Sequence, residues 1–352
     1  MIKHFDRILM PFVLFALMLC SSDLTPGQGS LQKATVPYRK INGHEILADV
    51  YRPADKTVRP VIVYIHGGAL IMGNREWIRN WRLLSFADRN GFAVVAIDYR
   101  LAPETKLPAI ISDIEAAFNW VGGDGAKEFH LDPDRMIVCG ESAGGYLTLV
   151  TGYRVNPKPN ALVVLFGYGE LDADWYTKPN PYPGYTGKKI SPEEANQQSD
   201  GTAISDSSIR KGNGGTIYQY YRQNGLWPQE VSGFNPDSLA REIAPYEPIK
   251  NVTRELPPTF WMHGTMDTDV PLEESLNMAD QFKKIGVLYI LISIDKGEHA
   301  FVGGSRTQIR TPTAQCRSSC SNTLKRNDVH TARELPSKTS VGFCRSFSET
   351  TS

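Results

Sequence analysis

The chain has 352 residues, 41% of them hydrophobic and 22% charged, with 38 Lys/Arg against 38 Asp/Glu. That length allows one large α/β domain with a full core, or two small domains, at an ordinary globular composition. A formal net charge of zero supplies no field to draw the chain to nucleic acid or to an acidic surface, so no nucleic-acid partner is expected.

Residues 1–20 predict an export signal. Lys3 and Arg7 precede an apolar run over 8–19, shorter than the roughly 20 residues of a membrane span. The expected location is therefore secreted or periplasmic. Cys20 directly after the run offers a lipid-anchoring site, although Met18-Leu19 lacks the small residue that such cleavage uses. An uncleaved anchor is the alternative, and any membrane attachment is confined to this end. Residues 21–35 form a polar linker. Strands over 36–40 and 45–51 then flank Asn42-Gly43, a hairpin-turn dipeptide.

Continuous apolar runs at 61–65, 92–97, 136–139, 161–166, 259–262 and 287–292 predict strands buried on both faces. Residues 110–120 and 272–284 place apolar side chains at helical spacing. The alternation predicts an α/β fold, a mostly parallel and doubly covered sheet spanning 36–303. Cys139 falls in one of these strands, where a free buried thiol is expected. Residues 170–256 interrupt the pattern with Pro, Gly, Asn, Tyr and Trp. A segment that long is read as a cap insertion above the sheet, with helices over 205–224 and 237–243. From Gly304 onward there are 17 Ser/Thr, eight Lys/Arg and three Asp/Glu, with Cys316, Cys320 and Cys344 scattered among them. Residues 304–352 are expected to be a disordered or aberrant tail, lacking the apolar face needed to offset ordering entropy.

The chemistry concentrates at strand ends. Gly140-Glu141-Ser142-Ala143-Gly144 follows a strand and precedes a helix over 145–152. This G-x-S-x-G setting makes Ser142 the candidate nucleophile, and its glycines let neighbouring backbone pass the sharp turn. His66-Gly67-Gly68-Ala69 follows the strand at 61–65. Acyl transfer needs N–H donors aimed at a developing oxyanion, and Gly67, Gly68 and the Ala143 amide are the candidates; the His66 side chain is expected only to brace the loop. A base and an orienting carboxylate are expected later in the chain. Asp267 is the candidate acid, with Asp269 its rival. His299 is the candidate base, because His330 lies in the tail and His263 ends a strand. Trp175, Tyr176 and Trp227 are candidate substrate-binding aromatics of the cap; the alternative is that they fill the cap's own core. No cysteine or histidine spacing suggests a metal site, and no cofactor is expected.

HGGA at 66–69, DYRLAPE at 98–104, GESAGG at 140–145, HGTMDTDVP at 263–271 and GEHAF at 297–301 together resemble the α/β-hydrolase esterases. The resemblance runs to hormone-sensitive-lipase-like carboxylesterases and to bacterial feruloyl-esterase-like or dienelactone-hydrolase-like exported enzymes, over about residues 36–303. It implies a Ser142–His299–Asp267 triad, an oxyanion hole in the HGG loop, and a small-molecule carboxylic ester as substrate. Two departures stand out. Ala69 replaces the third glycine of the lipase-type loop, and the acid motif is of the HGxxDxxVP type. A peptidase of the prolyl-oligopeptidase type, or a non-catalytic binding protein on the same scaffold, are the alternatives.

Overall fold

The structure, a computed structural model, describes residues 31–80, 82–310 and 329–331. The expected export signal, Cys20, most of the linker, and Cys316, Cys320 and Cys344 lie outside the described residues. Strands β1 (Gln32–Ile41) and β2 (His44–Arg52) form the expected hairpin. Asn42 and Gly43 take φ of 50° and 84°, the left-handed pair that a tight turn between twisted strands requires. Strand β1 begins inside the segment read as linker. Its residues 32–35 already pair with β2, because backbone pairing does not need an apolar side-chain pattern.

Seven further strands complete a nine-stranded sheet: β3 (Arg59–Ile65), β4 (Ala93–Ile97), β5 (Leu131–Glu141), β6 (Ala161–Leu165), β7 (Thr259–Gly264), β8 (Tyr289–Ile294) and β9 (Val329–Thr331). Their order is β1-β2-β4-β3-β5-β6-β7-β8-β9, and β3 to β8 run parallel. The pleat sends alternate side chains to opposite faces. Val61, Val63 and Ile65 enter one buried cluster, while Ile62 and Tyr64 enter the other. Cys139 is a buried free thiol on the second face. The continuous apolar runs thus reflect burial on two sides.

Helices cover both faces. Helix α1 spans Leu83–Asn90, and α2 spans Leu107–Gly122. In α2, Leu107, Ile110, Ile111, Ile114, Phe118 and Val121 are buried, a stripe at i, i+3, i+4 spacing facing the sheet. Helix α3 (Ala143–Arg154) is buried along nearly its whole length. The segment at 170–256 holds no strand among its described residues, only short helices, of which α4 (Gly215–Asn224) and α5 (Trp227–Ser232) pack together. The expected helix over 205–224 starts only at Gly215. Gly212, Asn213 and Gly214 before it have φ of 68°, 53° and 94°, which an α-helix excludes. The expected helix over 237–243 is shortened to Leu239–Ile243.

Two buried carboxylates fix where the insertion leaves the sheet. Glu274 accepts the N–H groups of Gly169 and Glu170 at 3.0 Å each. Glu247 accepts those of Leu171 and Asp172 at 2.9 and 3.3 Å. Four amides of one loop are thereby satisfied without a strand partner.

Within 304–352 the described residues, 304–310 and 329–331, hold two short elements. Residues Arg306–Arg310 form a helical turn. Ser305 N–H donates to Asp295 O at 3.1 Å, and Gln308 Oε1 accepts Asp295 N–H at 2.8 Å. Strand β9 pairs antiparallel with β8, Val329 opposite Ile292. An edge strand with unpaired backbone groups accepts such an addition whatever the side-chain composition of the added segment. No helix among the described residues is long and apolar enough to cross a membrane.

Helix α6 (Leu272–Ile285) has Glu273 and Glu274 in its first turn, Lys283 and Lys284 in its last, and Gly286 at φ 84° to end it, which suits the helix dipole and a left-handed cap. Its Phe282 is fully buried and meets Trp261 edge-on at 4.9 Å. Phe282→Ala should lower the unfolding free energy by about 3–5 kcal/mol, read by urea denaturation; a loss under about 1 kcal/mol would contradict this packing.

Candidate functional site

The parallel strands β3, β5, β7 and β8 all deliver loops from their C-terminal ends, where α/β sheets place ligands. Ser142 stands at the turn from β5 into α3 with φ 52° and ψ −119°, a conformation that costs an L-residue energy and that the surroundings must hold. Its N–H donates to Leu165 O at 2.9 Å. The flanking glycines are sterically required. A Cβ on Gly140 would lie 2.2 Å from Gly144 O, and one on Gly144 would lie 2.1 Å from Ile65 O.

His299, in the turn after β8, places Nε2 3.1 Å from Ser142 Oγ and Nδ1 2.8 Å from Asp267 Oδ2. The imidazole edge rests against Phe166 at 4.8 Å. Asp267, after β7, is oriented through its other oxygen, which accepts the N–H groups of Asp269 at 3.0 Å and Val270 at 2.8 Å. Burial works to raise the Asp267 carboxyl. The hydrogen bonds and charges of His263 and His299 override it and hold the group well below the usual carboxylate range. Burial also works to lower the His299 imidazole. The facing Asp269 charge and the Asp267 hydrogen bond outweigh it, leaving the ring above its ordinary value of 6.5. The structure therefore brings Ser142, His299 and Asp267 into one hydrogen-bonded chain. The rival, Asp269, sits 3.7 Å from Nε2 and not at Nδ1. His263 is buried in a bracing position, with Ser275 Oγ 2.7 Å from Nδ1 and Val270 O 2.9 Å from Nε2.

The loop after β3 lies directly against this turn. A Cβ on Gly67 would meet Glu141 O at 2.9 Å and Ser142 Cβ at 3.3 Å. Gly68 has φ 98°, and a Cβ there would meet Met72 O at 2.3 Å. The carbonyls of this loop are occupied. Tyr99 OH donates to His66 O at 3.0 Å and Gly67 O at 3.2 Å, while Ile71 and Met72 N–H donate to Gly68 O. The N–H groups of Gly67, Gly68 and Ala143 donate to no acceptor among the described residues; the last is a free first-turn amide of α3. His66 braces the loop: it stacks on Tyr99 at 4.3 Å, Nδ1 lies 2.8 Å from Gly67 O, and burial pushes its pKa down to about 4. Such an arrangement can move a proton off Ser142 and present amide donors beside it.

The cap aromatics are placed differently from the expectation of a cleft lining. Trp227 is 0% and Tyr176 1% exposed, so neither ring has surface left for a substrate in this state. Trp175, Tyr176 and Trp227 form one stack, with centroids 3.6 and 4.0 Å apart in succession. Such stacked pairs add to the apolar burial that holds the rings in the cap core. The indole N–H of Trp227 donates to Ala69 O at 2.9 Å, tying the cap core to the HGGA loop. Glu298 is a residue that sequence reasoning passed over. It accepts Thr268 N–H at 3.0 Å, the Thr268 hydroxyl at 2.7 Å and His299 N–H at 3.0 Å, and so joins the carboxylate turn to the histidine turn. Its place just before His299 was the only signal. Tyr99, within DYRLAPE at 98–104, carries no sequence signal of its hold on the His66 and Gly67 carbonyls. No group of His, Cys, Asp and Glu among the described residues is arranged to hold a metal ion.

A family model described as alpha/beta hydrolase fold matches residues 62–303. The chain is 28% identical over 317 residues to the non-reducing polyketide synthase ausA of Aspergillus calidoustus, a match that covers 76% of this chain and 13% of that protein. The chain thus spans about an eighth of the length of the curated relatives it matches. Among solved structures it is similar to an alpha/beta hydrolase superfamily protein from Enterococcus faecalis, at 22% identity and TM-score 0.60 over 82% of this chain and 97% of that one. It is also similar to Thermogutta terrifontis esterase 2 phosphoramylated by tabun, at 20% identity and TM-score 0.55 over 83% and 94%. At these identities the structural likeness bears on the fold alone.

Removing the Trp227 indole N–H leaves a buried carbonyl at Ala69. Trp227→Phe should therefore cost about 1–3 kcal/mol and lower the thermal midpoint. An unchanged midpoint would mean that the cap is not anchored through this bond.

Proposed function

The chain belongs to the alpha/beta hydrolase fold family, and we propose that it is a serine hydrolase cleaving carboxylic esters through a covalent acyl-enzyme. The observation that carries this is the chain Asp267–His299–Ser142, with contacts of 2.8 and 3.1 Å. In the proposed cycle His299 Nε2 takes the Ser142 proton as Oγ attacks the ester carbonyl. Asp267 holds the ring through Nδ1 and supports the imidazolium that forms. The amides of Gly67, Gly68 and Ala143 receive the oxyanion, and their worth is largest because they are in place before the charge develops. His299 then returns the proton to the leaving alcohol. Water, deprotonated by the same nitrogen, attacks the acyl-Ser142 carbonyl; His299 returns that proton to the departing Ser142 Oγ and the acid is released. Every step uses groups of the chain itself.

A fluorophosphonate probe should label Ser142, and Ser142→Ala should abolish both labelling and turnover of p-nitrophenyl esters. In the same assay Asp267→Asn should lower kcat by about 10⁴-fold, far more than Asp269→Asn. Labelling elsewhere, or the reverse ranking of the two aspartates, would overturn the assignment.

The base must be neutral to accept a proton, so kcat/KM should rise with pH through the His299 titration. The midpoint should lie above 6.5, since the facing carboxylates favour the charged ring. Asp269→Asn removes one of those charges and should shift the midpoint to lower pH; a shift upward would contradict the site's electrostatics.

A further inference from the structure

One carboxylate beside the reacting atoms neither transfers a proton nor orients the base in the acyl-enzyme cycle. Asp269 Oδ1 accepts the hydroxyls of Tyr185 at 2.7 Å and Tyr218 at 2.6 Å. Its backbone N–H is held by Asp267 at 3.0 Å, and its carbonyl accepts Arg222 Nη2 at 2.9 Å. Four hydrogen bonds therefore lock the residue. Oδ2, by contrast, takes no hydrogen bond among the described residues and lies 3.7 Å from His299 Nε2. That is the same nitrogen that faces Ser142 Oγ.

The charge is only partly compensated. Arg222 Nη2 approaches Oδ1 to 3.8 Å. The guanidinium gives its hydrogen bonds to the carbonyls of Trp175 and Asp269. Its cation lies over the rings of Trp175, Tyr176, Tyr185 and Tyr218 at 4.9–5.9 Å. The Asp269 side chain keeps 19% of its surface open. A partly exposed carboxylate oxygen without a protein donor is open to a donor from a ligand. This one is oriented through one oxygen and presents the other at the reacting nitrogen.

In ester cleavage by this pair, Nε2 hands its proton to the leaving alcohol oxygen, which must come within hydrogen-bond distance of it. A polar group on the second carbon of that alcohol, three bonds from the ester oxygen, then comes within reach of Oδ2, which lies 3.7 Å from Nε2. We propose that Asp269 determines leaving-group specificity, accepting a hydrogen bond from a hydroxyl or ammonium carried beside the ester oxygen and excluding alcohols that are anionic there. The inference rests on Ser142 and His299 acting as nucleophile and base. A hydrogen bond to a charged acceptor discriminates by about tenfold or more.

The test uses four esters of butyric acid: ethyl, 2-hydroxyethyl, 2-(dimethylammonio)ethyl and carboxymethyl. In the unaltered protein kcat/KM should be about tenfold or more higher for the hydroxyethyl and ammonioethyl esters than for ethyl, and lower by a similar factor for carboxymethyl. Asp269→Asn, which keeps shape and removes charge, should bring the four to within about threefold of one another. Tyr218→Phe loosens the clamp but keeps the charge. It should weaken the donor preference while carboxymethyl is still rejected, and it decides the matter if the asparagine variant fails to fold. Equal rates for the four esters in the unaltered protein would overturn the proposal, as would an unchanged ranking in the variants. Fluorophosphonate labelling is run on the same samples. Ser142 labelled without any ranking overturns the role of Asp269 alone. Ser142 unlabelled overturns the serine-hydrolase reading, and this inference with it.

Discussion

The site depends on one close approach, the passage of the β3 loop across the start of α3. Gly144 has room only for a hydrogen where Ile65 O and His66 O crowd it, at 2.1 and 2.6 Å from an ideal Cβ. Because β3 and β5 are adjacent and parallel, the loops they release must share this space. The contact falls two residues after Ser142, whose φ is 52°, and the same loop sets Gly67 against Glu141 and Ser142. Ser142 and the neighbouring loop amides, the nucleophile and donors of the proposed cycle, are thus held side by side by close packing. Rigid placement of this kind is what pre-aimed donors require, since a donor that must reorganise during the reaction stabilises charge less.

The second half of the site is assembled by polar bonds between loops. Asp267, Glu298 and His299 come from the ends of β7 and β8, which pair in register from Thr259–Tyr289 to Gly264–Ile294. Glu298 fastens the two turns together, and backbone amides fix the Asp267 carboxylate from the side opposite His299. The carboxylate is buried with its hydrogen bonds satisfied, which is why the protein tolerates its charge there.

The insertion joins this arrangement from above. Its aromatic stack ends on Ala69 through Trp227, while Arg222 links the Trp175 carbonyl to Asp269. A buried guanidinium among four aromatic rings is supported by cation–π contact as well as by its carbonyl partners. The cap is therefore continuous with the site, so a substitution in its core reaches the loop that carries Gly67 and Gly68.

Much of this was legible in the amino-acid order, because some constraints are local. Apolar runs mark two-sided strands. Asn42-Gly43 marks its turn, and glycines around a serine between strand and helix mark a backbone crossing. His299 stood out because a base must follow a core strand near the end of the domain. Other features depend on partners distant in sequence. Asp267 and Asp269 lie two residues apart in one turn, and only the position of the imidazole decides that the first meets Nδ1 while the second faces Nε2. Trp175, Tyr176 and Trp227 read equally as lining or as core until their mutual stacking is seen. Tyr99 and Glu298 act through bonds to carbonyls and amides of other loops. The segment at 329–331 joins the sheet by backbone pairing, an interaction common to nearly every residue type, so side-chain pattern carried no trace of it. Sequence determined the core strands and where a strained turn must fall; tertiary structure alone decided which oxygen faces which nitrogen, because hydrogen bonds between loops depend on distances that no local pattern encodes.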